Sequence, residues 1–273
     1  MHRALEAASP ITPSMTTSRP TISETLVNRV PEVTLVFWVL KILATTIGET
    51  AGDLLSETLG LGTVITSYVM GALLLVCLVF QFRARRYVPP IYWLVVVFIS
   101  VVGTLISDNL VDNLGVPLAT TTAIFAVALV IVFVAWYTSE KTLSVHTIFT
   151  ARREAFYWAA ILFTFSLGTS GGDLLAERLA VGYALSAAIF AAGIAIIFTA
   201  YRLRWMNGVL AFWLAYILTR PLGASIGDLL TQPRTEGGLG IGTLPVSAVF
   251  LLLIIVLVSY LTKQQKRLNP AGG

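Results

Sequence analysis

Eight apolar runs alternate with short polar interruptions along the chain, at roughly 33–55, 63–82, 90–111, 118–137, 154–177, 183–201, 207–230 and 243–262. Each is close to the ~20 residues that carry a helix across ~30 Å of hydrocarbon. In lipid the backbone must satisfy its own polar groups, so only helices and closed barrels span. These runs are too long and too evenly apolar for barrel strands. The pattern predicts an all-α fold, a polytopic membrane helical bundle of about eight transmembrane helices.

The polar positions inside the runs recur. Trp38–Leu55, Trp93–Leu110, Trp158–Leu175 and Trp213–Leu230 are four versions of one stretch. In each, a Trp precedes an Asp by fifteen positions: Trp38/Asp53, Trp93/Asp108, Trp158/Asp173 and Trp213/Asp228. A Gly stands five before the Asp, and Gly or Ser one before it. A fixed period of this kind defines the architecture before any single residue does. Each unit is a Trp/Asp helix, a short Gly-bearing turn and a plainer apolar helix, giving four tandem two-helix repeats. Two helices return the chain to its starting side, so all four copies share one orientation. The Trp spacing of 55, 65 and 55 implies two halves of two repeats, with a loose fourfold set of Asp helices inside. The expected organisation is a disordered cytoplasmic tail over 1–30, rich in Ser, Thr and Pro, a single transmembrane domain over 31–265, and a C-terminal tail over 266–273. The repeats fall at about 31–86, 87–141, 152–204 and 205–265.

Composition agrees: 56% of residues are hydrophobic and 12% charged, against about 25% charged in soluble domains. The basic residues supply a topology. Fourteen Lys and Arg fall in the tail and in loops after even-numbered spans, against two, Arg178 and Arg234, after odd-numbered ones. The positive-inside bias then puts both termini in the cytoplasm and the Asp ends outside. The expected location is the inner (plasma) membrane, with the lipid bilayer as surroundings and no nucleic-acid partner.

The acids carry the candidate chemistry. Carboxylates in a membrane are costly unless paired or facing a wet cavity. Residues four apart share a helix face, so Glu49, Asp53 and Glu57 form one stripe. Its equivalents are Thr104, Asp108 and Asp112, then Thr169, Asp173 and Glu177, then Ala224, Asp228 and Gln232. Four converging carboxylates repel one another, and a multivalent cation or protons would relieve that. The expected ion site is Asp53, Asp108, Asp173, Asp228 and Glu49 with Thr104 and Thr169; Glu57, Asp112 and Glu177 form an outer vestibule. Further hydroxyls, among them Ser100, Ser107, Ser166 and Ser225, could add neutral oxygens. The two histidines, His2 and His146, fall in tail and loop, and the one cysteine is Cys77. A nearly all-oxygen site suits Mg²⁺, Ca²⁺ or Mn²⁺ better than copper or zinc. The competing local explanation is that each Asp caps a break or short outer helix.

Two cations lie inside the spans. Lys41 is about 18 Å from Asp53 along the helix and could snorkel to the inner surface. Arg220, about 12 Å from Asp228 by the same rise, needs a partner, and Glu49 is the obvious one. Arg220 is then a structural ion pair or a counter-charge competing with substrate. Gly48/Gly52, Gly168/Gly172 and Gly223/Gly227 read as helix-packing pairs. The four repeat Trp, with Trp136 and Trp205, read as an interface belt.

With Trp, Gly and Asp so placed, the chain resembles a family of bacterial integral membrane proteins built of four tandem two-span repeats with a characteristic Trp, a repeat family of unknown function. Val30–Thr34 and Lys41–Thr46 look like its first unit. The resemblance covers about residues 29–265. It implies the architecture and is nearly silent on activity.

The function expected is transport or export of a hard, divalent metal cation through the repeated acids, with protons as a candidate coupling ion. The alternatives are a transporter of organic cations or small metabolites, and a non-transporting scaffold subunit. No cofactor is expected beyond a transported divalent cation. No enzymatic role is expected: Gly172-Asp173 is preceded by Ser170 where an intramembrane aspartyl protease motif has Gly, and the fourfold arrangement singles out no catalytic pair.

Overall fold

The structure is a computed structural model describing residues 28–268. The described residues form eight long helices and no strand. They are α1 (Leu35–Asp53), α2 (Thr63–Arg83), α3 (Pro89–Asp108), α4 (Leu118–Glu140), α5 (Ala151–Asp173), α6 (Tyr183–Arg202), α7 (Gly208–Thr231) and α8 (Thr243–Leu268). All eight are long and apolar enough to cross a membrane.

Local signals set the helix starts. Thr34 Oγ1 accepts from Phe37 N to open α1, and Asn207 Oδ1 accepts from Leu210 N to open α7. Each satisfies an N–H that the first helical turn leaves over. Pro89 and Pro90 open α3, where a missing N–H costs nothing. The hairpin turns need left-handed backbone: Gly62 has φ 74° and Gly182 φ 80°, immediately before α2 and α6. A side chain there would be strained.

Burial separates the helices into two layers. The spans of α1, α3, α5 and α7 are 56–67% buried, those of α2, α4, α6 and α8 only 11–22%. The inner four pack in a closed ring, α1 on α3, α3 on α5, α5 on α7 and α7 on α1. Each outer helix packs on the inner helix of the next repeat: α2 on α3, α4 on α5, α6 on α7 and α8 on α1. The two halves expected from the Trp spacing are therefore subordinate to a cyclic fourfold arrangement. Outward residues such as Leu75, Val130, Ile196 and Leu252 are exposed, as a lipid-facing surface requires.

The glycines hold the ring together. A Cβ on Gly48 would collide with Ser100, on Gly103 with Phe165, on Gly168 with Arg220 and Pro221, and on Gly223 with Thr45. Each glycine five before an Asp thus receives the next helix of the ring. Apolar side chains gain little by leaving lipid for protein, so close backbone approach carries helix association in membranes.

Some described residues fall inside both expected tails. Asn28 to Val30 are packed: Asn28 Nδ2 donates to Val145 O at 3.0 Å, and Val30 is buried. Helix α8 runs through Leu268, past the expected boundary at 266. The remainder of both expected tails, 1–27 and 269–273, lies outside the described residues.

Candidate functional site

The ring stacks equivalent residues in layers along its axis. The Asp layer lies where the inner helices end. Asp53, Asp108 and Asp173 are the last α-helical residues of α1, α3 and α5, and each runs into one π-helical turn: Leu54–Thr58, Asn109–Asn113 and Leu174–Arg178. Leu59 N reaches Leu54 O at 2.9 Å and Leu179 N reaches Leu174 O at 3.0 Å, the wide five-residue spacing. Such turns are rare and cluster at functional sites. Asp228 instead lies within α7, which continues to Thr231. None of the first three caps the turn after it, so the local capping explanation fails for those three. Helix C-termini carry partial negative charge, which adds to the attraction this end exerts on cations.

The acids surround one cavity of ≈ 190 Å³. Eight of the chain's fourteen carboxylates line it: Glu49, Asp53, Glu57, Asp108, Asp112, Asp173, Glu177 and Asp228. The expected convergence of the four Asp is present. Glu57, Asp112 and Glu177, the expected vestibule, are exposed at its rim. Glu49, Asp173 and Asp228 each offer an oxygen, all within 4.8 Å of one another. Two ligands facing each other across a cation at 2.0–2.6 Å stand about 4–5 Å apart.

One layer deeper the equivalents are Glu49, Thr104, Thr169 and Ala224. Ala224 leaves a gap there. Arg220, from the next layer down, rises through it and is wholly buried. Its Nη2 donates to Glu49 Oε2 at 2.7 Å, to Thr169 Oγ1 at 2.7 Å and to Thr104 Oγ1, and Nη1 approaches Thr45 O at 3.4 Å. The expected Glu49–Arg220 pair exists. Thr104 and Thr169, expected among the ion ligands, do not line the cavity; their hydroxyls are taken by Arg220. Of the other hydroxyls considered, Ser107 lines the cavity with its Oγ unpartnered, while Ser100, Ser166 and Ser225 do not reach it.

Below Arg220, Lys41 stands fully buried, its Nζ 4.0 Å from the Phe165 ring centroid and 4.2 Å from that of Tyr216. It does not snorkel. Its helix places it on the ring axis, and the aromatic faces supply a cation–π site where water would otherwise be needed.

The next layer is aromatic: Phe37, Tyr92, Tyr157 and Phe212, all buried. The Tyr92 and Tyr157 hydroxyls lie 2.5 Å apart and the Phe37 and Phe212 rings 6.0 Å apart. These four floor residues escaped the sequence reading. Their signal was an aromatic residue immediately before every repeat Trp. The belt reading of the Trp is overturned for most of them. Trp93, Trp136, Trp158 and Trp213 are buried, and Trp38 is partly buried. Trp213 Nε1 donates to Leu143 O at 2.9 Å and Trp93 Nε1 to Tyr87 Oη at 3.0 Å. These buried rings, with the Trp93 and Trp213 donors partnered inside the protein, close this end of the ring; Trp205 alone is largely exposed. Another buried acid, Glu154, lies at this end. It accepts from Arg29 Nη1 at 2.6 Å and from Gln81 Nε2 at 2.8 Å.

A repeat family described as "Repeat of Unknown Function (DUF347)" matches residues 36–87, 91–142, 156–204 and 211–267. The chain belongs to that family. Its four matches coincide with the four helix pairs, each ending with an outer helix. No curated protein and no solved structure matches the chain.

Proposed function

We propose that this DUF347 protein is a carrier for a hard divalent cation, taken up in the acidic cup. The observation that carries the reading is the approach of Glu49, Asp173 and Asp228 oxygens to within 4.8 Å of one another. A single small cation can satisfy all three. Their chemistry is oxygen only, which suits Mg²⁺, Mn²⁺ or Ca²⁺. Protein charge answers eight carboxylates with one adjacent guanidinium, leaving a strong excess of negative charge for an incoming cation.

Glu49 is the coupling point. It holds Arg220 in this state, and a cation taking Glu49 as ligand releases the guanidinium. Arg220 and Lys41 block the axis beneath the cup, and the aromatic floor closes it. A cation therefore cannot pass straight through, and the cycle needs a second conformation. Protons on the vacated carboxylates are the simplest return cargo, since they relieve the same repulsion. On this reading the chain is no enzyme, the cup opens to the outside of the plasma membrane, and both termini are cytoplasmic.

An organic cation fits less well. The cavity, at ≈ 190 Å³, is below the ~300–1,000 Å³ of ordinary ligand pockets, and no aromatic ring lines it. Cells expressing the wild type should differ in Mn²⁺, Mg²⁺ or Ca²⁺ content or tolerance from cells expressing Asp173→Asn/Asp228→Asn. Purified wild type should bind Mn²⁺ and that variant should not. Equal content, tolerance and binding at equal expression would refute the carrier and favour a scaffold.

A further inference from the structure

Three of the four outer–inner helix joints are covalent. Short loops connect α2 to α3, α4 to α5 and α6 to α7, the pairs that pack together. The fourth joint, α8 on α1, brings together opposite ends of the described chain with no connection. Beside this seam, between α3 and α8, lies a groove of ≈ 590 Å³. Its walls are apolar through most of their length, including Val97, Ile254 and Val258, with Trp93 at one side. At the Trp end it finishes on Lys263 and Lys266.

The geometry points to an anionic glycerophospholipid as the occupant of this groove. Leu251 to Lys266 span about 22 Å of helix at 1.5 Å per residue. That exceeds one leaflet's share of a ~30 Å hydrocarbon core, so an extended acyl chain fits along it. Lys263 and Lys266 are both exposed, and neither has an acidic partner among the described residues. Two ammonium groups at the end of an apolar slot match a phosphate above an acyl chain. Gln265, between them, donates to Tyr87 O at 2.9 Å and pins this end of α8 to the loop before α3. The lysines are thus presented on fixed backbone. A second copy of the chain is a poorer occupant. A twofold contact along the membrane normal would set the same lysines at the same depth against themselves. The lipid holds α8 against α3, beside the one joint that no loop closes. This inference is independent of the carrier reading.

The test uses the full-length chain purified in mild detergent and stripped of lipid. Phosphatidylglycerol should raise the melting temperature by several degrees more than phosphatidylcholine with identical acyl chains. Native mass spectrometry should show one retained phosphatidylglycerol per chain. Lys263→Gln/Lys266→Gln should abolish both effects, while Arg202→Gln/Arg204→Gln, which removes charge from the end of α6, should leave them intact. Ile255→Trp, which fills the groove and keeps both lysines, should also abolish them. No retained phosphatidylglycerol on the wild type, equal effects of the two lipids, or retention undiminished in the lysine variant would overturn the proposal. So would a dimer that forms in its place and is broken by Ile255→Trp.

Discussion

Breaking the ion pair at the base of the cup gives the sharpest test of the architecture. Arg220 is wholly buried and Glu49 nearly so, with 2.7 Å between them. Glu49→Gln removes the only carboxylate bonded to that guanidinium among the described residues and leaves a full positive charge in a low-dielectric interior. Removing one member of such a pair costs about 3–5 kcal/mol. Thr104 and Thr169 still accept from Nη2, which argues for the lower end. Arg220→Met strands Glu49 instead, among seven other cup carboxylates, and should cost at least as much. The double variant strands nothing, so its loss should fall short of the sum by roughly 1–3 kcal/mol. Thermal melts in detergent with a chelator present would measure this. At roughly 2–4 °C per kcal/mol for a chain of this size, each single variant should melt about 6–12 °C below wild type. A double variant whose loss equals the sum of the singles, within about 0.5 kcal/mol, would show that the two residues do not support each other.

The ring glycines give a contrast within one helix. Gly168→Ala places a Cβ against Arg220 and Pro221 and should cost about 1–3 kcal/mol, whereas Gly171→Ala meets only Thr122 Cγ2 at 3.9 Å and should melt at or above wild type. Glu154 is wholly buried, so Arg29→Ala should lower the melting temperature by roughly the same few degrees per kcal/mol, and adding Glu154→Gln should recover part of the loss. The rim acids should behave differently: Glu57→Gln/Asp112→Asn/Glu177→Gln should leave stability within about 0.5 kcal/mol yet weaken Mn²⁺ binding at low salt, an effect that titration in higher salt should erase.

The membrane bundle was legible in the linear pattern because run length and evenness of apolarity are local properties. The fourfold repeat, the Asp layer and the glycine pairs were legible for a related reason: duplication writes spatial symmetry as sequence period. Even the Glu49–Arg220 pair could be inferred, since two buried opposite charges depart from the repeat at neighbouring levels. What the sequence could not say was which way side chains turn once four helices close on one another. Lys41 has a stem long enough to reach the surface, and only the ring directs it inward onto Phe165 and Tyr216. Trp93, Trp136, Trp158 and Trp213 have the depth of a belt, and only packing puts them inside. Thr104 and Thr169 share the acid stripe, but the gap left at Ala224 lets Arg220 in to claim their hydroxyls. Period and hydropathy follow from each helix alone. Partner choice depends on distances between helices, and those exist only once the ring has closed.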